Sequence, residues 1–118
     1  MAKACKATQA EIVDYTVAPI FMEGKQKGAH EWMIEFKTPP HDLIHFHEVL
    51  DTTLQSLNSD YEAKRYNNMT LNPLVINVAR ENLFYDWLKQ RNKVGGQNKI
   101  PRLSNQREYL EQLKELQN

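Results

Sequence analysis

The chain has 118 residues, 41% of them hydrophobic, which suits one buried core and a single domain spanning 1–118. Lys plus Arg and Asp plus Glu both number 15, so the net charge is zero, and neither nucleic acid nor an anionic membrane is an expected partner. A single cysteine, Cys5, excludes an internal disulfide; no apolar run approaches the ~20 residues of a membrane span, and Met1 to Ala10 lacks the apolar centre of a secretory signal, so a cytoplasmic location is expected.

Ala2 to Ala10 reads as the end of a helix whose start lies upstream, since Ala and Lys favour helix but so short a stretch is not stable unaided. Glu11 to Met22 predicts a half-buried strand, with Val13, Tyr15 and Val17 on one face and Asp14 and Thr16 on the other. A charged loop with two glycines, Glu23 to Gly28, leads to a second strand over His30 to Lys37, where Trp32, Ile34 and Phe36 alternate with Glu31, Met33, Glu35 and Lys37. The two strands predict an antiparallel hairpin.

Pro39 and Pro40 suit the first turn of a helix capped by Thr38, and Leu43, Phe46, Leu50, Leu54 and Leu57 follow at helical spacing. Asn58 to Asp60 ends that helix. Tyr61 to Tyr66 predicts a short strand, Asn67 to Pro73 a turn, and Leu74 to Val78 a clearer strand. Leu83, Phe84, Trp87 and Leu88 mark another amphipathic helix, and Ser104 caps a last one carrying Tyr109, Leu110, Leu113 and Leu116. The order α-β-β-α-β-β-α-α predicts an α+β fold: an antiparallel sheet of about three to four strands with helices packed on it.

The stretch Gly95-Gly96-Gln97-Asn98-Lys99-Ile100-Pro101-Arg102 can present charge to a phosphate, because glycines free the backbone while Pro101 stiffens it between two cations. Lys89, Arg91, Lys93 and Arg107 add local positive charge, although from spacing alone a solvated loop between helices is the expected reading. His41 and His45 stand four residues apart, with Asp42, His47 and Glu48 nearby, but no third ligand is in phase, and surface histidines are the expected reading, so no metal site is assigned. Tyr61 and Arg65 form either a functional polar pair or a structural anchor. Trp32, Phe36, Phe84 and Trp87 read as core. No Gly-x-x-x-x-Gly-Lys-Ser/Thr loop and no nucleophilic triad occurs, so the chain lacks a complete catalytic constellation.

Several of these segments together resemble the auxin-responsive Gretchen Hagen family of acyl-acid amido synthetases, adenylate-forming ligases, in their C-terminal domain. The resemblance runs from Glu11 to Ser104. It rests on His30-Glu31-Trp32-Met33-Ile34-Glu35, Tyr61-Glu62-Ala63-Lys64-Arg65, Pro73-Leu74, Phe84 and, most specifically, Gln97-Asn98-Lys99-Ile100-Pro101-Arg102. It implies a small mobile domain that swings over a large N-terminal domain of the same chain. That enzyme would use ATP with magnesium to adenylate a carboxylic acid and then join the acyl group to an amino acid.

Carried over residue by residue, Lys99 is the expected catalytic cation, Gln97 and Arg102 shape its nucleotide or acyl-adenylate loop, and Tyr61 and Arg65 are interfacial or structural. The isolated domain is expected to be inactive, with no ATP or magnesium bound to it. Two positions depart from the plant pattern: Asn72 replaces the glycine before Pro-Leu, where Asn could keep a left-handed backbone, and Asn82-Leu83-Phe84 replaces Gly-Thr-Phe. Plant hormones are therefore not transferred as substrates. Two other classes stand beside this one, a stand-alone small-molecule-binding regulatory module and a nucleic-acid-binding module on a similar sheet; the fold alone separates none of them.

Overall fold

The computed structural model describes residues 2–21, 27–58, 61–63, 71–90 and 106–117. Among these residues the order is α1 (Ala2–Thr8), β1 (Glu11–Ile20), β2 (Ala29–Thr38), α2 (Leu43–Leu57), β3 (Val75–Val78), α3 (Leu83–Gln90) and α4 (Glu108–Gln117). The three strands form one sheet in the order β1-β2-β3. β1 and β2 pair antiparallel, as the hairpin reading expects. β3 runs parallel to β2, because α2 lies in the connection between them and carries the chain back to the end where β2 began. The fold is α+β, with a mixed sheet.

Two elements differ from expectation. Residues 61–63 are helical rather than extended. Asn58 is the reason: its side chain accepts a hydrogen bond from the Tyr61 N–H at 3.1 Å and its carbonyl one from Glu62 at 3.0 Å, so it nucleates a new turn where α2 stops. The rest of the expected Tyr61–Tyr66 strand lies outside the described residues, as does Ser104. The start of α2 also moves. Asp42, not Thr38, is its cap, accepting from the backbone N–H groups of Ile44 and His45 at 3.0 and 3.3 Å, while Thr38 still belongs to β2. Cys5 is partly buried beside the α1–α2 core, and desolvation pushes its thiol above the usual range.

Helices cover both faces of the sheet. Successive side chains on a strand point to opposite sides; Trp32 and Ile34 accordingly join a core with Ala4 of α1, Phe46 and Leu50 of α2, and Leu74, whereas Met33 between them packs with Leu83, Phe84 and Trp87 of α3 and Leu110 and Leu113 of α4. Both faces of β2 are therefore covered: Glu31 to Glu35 is buried without interruption, and Glu31 and Glu35 face α4 and α3. The reading of β1 is corrected. Its register shifts around Ile12, and this bulge turns Val13 outward while Ile12 takes the inward place beside Tyr15 and Val17.

Candidate functional site

A buried carboxylate with two cations on it is the strongest polar feature of the described residues. Glu31 projects from β2 toward α4 with only 6% of its side chain exposed. Arg107 Nη2 donates to Oε1 at 2.7 Å; Lys114 Nζ and Asn77 Nδ2 donate to Oε2 at 3.1 and 2.9 Å. Burial alone drives the carboxyl pKa upward, yet the hydrogen bonds from Arg107, Asn77 and Lys114 outweigh it and hold the group below its ordinary range. Arg107 also donates to the Pro19 carbonyl at 2.8 Å and to Glu111. Its charge is thus satisfied within the fold, and Arg107 is not one of the cations available to a phosphate. What this cluster does is fasten α4 to β1 and β2.

Glu35, two pleats along the same face, does a related job for α3. Its two oxygens accept the backbone N–H groups of Asn82 at 3.1 Å and Phe84 at 3.2 Å, at the positively polarised start of that helix. Asn82 holds a left-handed backbone, φ 67°, which lets both N–H groups face one carboxylate.

Tyr61 is buried against the other face. Its hydroxyl donates to Asp51 at 2.5 Å, its ring stacks on His30 with centroids 5.2 Å apart, and Asp51 also accepts from Gln55 at 2.8 Å. The histidines of the α2 region go separate ways: His41 precedes the helix and meets Gln9 Oε1 at 2.6 Å, His45 is exposed on α2, and His47 bonds the Leu74 carbonyl. Among the described residues no group of three or more His, Cys, Asp or Glu side chains could hold a metal ion. Nor is any described helix long and apolar enough to cross a membrane.

The remaining expected site residues, Gln97, Lys99, Arg102 and Arg65, lie outside the described residues. A family model answers the question of kinship more directly: that of the GH3 family C-terminal domain matches residues 1–108. The chain belongs to this family. Two solved structures share the fold, an acyl acid amido synthetase named AtGH3.15 in complex with 2,4-DB, at 20% identity and a TM-score of 0.72, and GH3.15 acyl acid amido synthetase, at 21% and 0.71. Each alignment covers 96% of this chain and 21% of the other, so the chain spans about a fifth of the length of the structures it resembles. Among curated proteins none matches the sequence.

Membership gives the two departures from the plant pattern a structural account. Of the two departures, the left-handed one is Asn82, at a backbone conformation that glycine adopts most easily and asparagine next most easily. Asn72 is not left-handed: Gln9 and Asn82 are the positive-φ non-glycine positions among the described residues. The expectation at Asn72 is therefore corrected. Its N–H instead donates to the Gly28 carbonyl at 2.9 Å, prolonging the β2–β3 pairing. The Glu31 and Glu35 contacts escaped the sequence reading because strand alternation puts both residues on the face opposite Trp32 and Ile34 but does not say what covers that face. A signal existed, since Arg107 and Lys114 stand seven residues apart, two helical turns, in phase with buried Leu110.

Proposed function

We propose that this GH3 C-terminal domain acts within a longer ATP-dependent acyl-acid amido synthetase. The carboxylate of an acid attacks the α-phosphorus of ATP and releases pyrophosphate; the amine of an amino acid then attacks the acyl carbon and releases AMP. What supports this reading is the family match over residues 1–108, which contains Gln97-Asn98-Lys99-Ile100-Pro101-Arg102, together with two structural relatives named as acyl acid amido synthetases. The partner is the N-terminal domain of the same chain, which binds ATP with its magnesium and the acid, and the enzyme works in the cytoplasm.

In this scheme Lys99 approaches the phosphates or the acyl-adenylate when the domains close, where an ammonium stabilises charge building on oxygen. Gln97 and Arg102 shape the loop that carries it, and Tyr61 and Arg65 act at or behind the domain interface. The test is Lys99→Ala in the full-length enzyme, assayed by carboxylate-dependent pyrophosphate exchange. Loss of an electrostatic stabiliser of this kind lowers the rate ~10²-fold or more with the fold intact. An unchanged exchange rate would remove Lys99 from the chemistry.

A further inference from the structure

A cavity of about 290 Å³ opens between the sheet and the C-terminal end of α2, on the face opposite Glu31. Its walls, among the described residues, come from three places. Tyr15 and Val17 stand on one face of β1, His30 and Trp32 on the matching face of β2, and Leu54, Asn58 and Tyr61 close it from α2 and the turn beyond. Four of these seven are rings, held in two stacked pairs: Tyr15 on Trp32 at 5.6 Å and His30 on Tyr61 at 5.2 Å between centroids. The Tyr61 hydroxyl is engaged by Asp51, which pins that ring as a wall.

We propose that this cavity binds a small, neutral aromatic molecule. Its volume sits at the lower end of ligand pockets, roughly 300–1,000 Å³, and so takes a single ring rather than a drug-sized compound. Aromatic walls favour a flat partner that can lie offset or edge-on against them. Among the described residues the lining includes no Asp, Glu, Lys or Arg, and its one imidazole, His30, is stacked on Tyr61, which favours an uncharged ligand over an ionised one. The indole N–H of Trp32, one of the lining residues, is buried and has no hydrogen-bond partner among the described residues, which favours a ring that carries an acceptor oxygen over a plain hydrocarbon. Phenol-type molecules meet all four conditions. The inference is independent of the synthetase reading, since it uses neither Lys99 nor ATP.

The probe is para-fluorophenol, titrated against the chain and followed by fluorine NMR, with intermolecular NOEs sought to the methyl groups of Val17 and Leu54. Saturable binding with Kd on the order of 1 mM or below is expected, about what so few non-hydrogen atoms deliver, with NOEs to both side chains. Leu54→Trp should fill the cavity and weaken binding at least about tenfold, as loss of most of the contact area requires, while Ile44→Ala on the exposed side of α2 should leave it unchanged. Absence of saturation, or saturation without those NOEs, overturns the site. Unchanged affinity in a folded Leu54→Trp variant does the same; should that variant not fold, the NOEs alone decide. Loss of binding in the longer chain would also overturn it, by showing that another part of the protein fills the cavity.

Discussion

Replacing Glu31 by glutamine keeps the shape of the side chain and removes its charge. The amide can still accept from Arg107 through its oxygen, but its NH₂ group must then face Lys114 Nζ, which loses this acceptor, and Asn77 Nδ2, which keeps only the Trp32 carbonyl at 3.0 Å. Removing one member of a fully buried ion pair costs about 3–5 kcal/mol. Here Arg107 and Lys114 keep 25% and 39% of their side-chain surface exposed and can recover water, so the expected loss is about 2 kcal/mol. For a domain of this size that is a fall in Tm of about 8 °C.

Urea unfolding followed by far-UV circular dichroism measures the loss directly. The pH dependence supplies a second readout with a definite sign. Because the folded-state pKa of Glu31 lies below its ordinary value of 4.5, its contribution is complete above that value and is lost as pH falls through the lowered one. Wild type and Glu31→Gln should therefore differ most at neutral pH and converge in acid. A double-mutant cycle with Arg107→Gln should show coupling of about 1 kcal/mol or more. A loss below ~0.5 kcal/mol at pH 7, the usual range for surface substitutions, together with an unchanged acid limb, would refute the role given to this cluster.

Two further outcomes follow from the same geometry. Asn82→Ala keeps the β-carbon but removes the short polar side chain that makes the left-handed conformation tolerable for asparagine, and should cost about 1 kcal/mol, whereas Asn82→Gly should be close to neutral; equal losses in thermal unfolding would show that φ 67° is not the constraint. Tyr61→Phe deprives buried Asp51 of a 2.5 Å donor and should lower stability by about 1.5–3 kcal/mol in urea titrations, and a neutral result would mean that Asp51 finds water or another donor in its place.

Much of the fold was legible in local pattern. The alternation in β1 and β2, the valine-rich β3 and the apolar stripes of α2, α3 and α4 each belong to a period set within a few residues, and those elements are present where the pattern puts them. Local signals failed where two candidates competed for one job. Thr38 and Asp42 are both capping residues, and only the extent of β2 decides that Asp42 takes the role. Tyr61 carries the aromatic character of a strand, but the Asn58 side chain draws its N–H into a turn. The bulge near Ile12 likewise cannot be read from an alternating sequence, since it exists only against the partner strand.

The sequence by itself was enough for the family, which several segments from His30 to Arg102 carry together, because residue types in a fixed order need no partner to be recognised. What Glu31, Glu35, Arg107 and Lys114 do was decided only by tertiary structure. A glutamate alternating with aromatic residues has the same pattern whether its face meets water or a second layer of helices. The difference is made by residues 76 and 83 positions away in the chain, brought to 2.7 and 3.1 Å by the packing of α4 on the sheet.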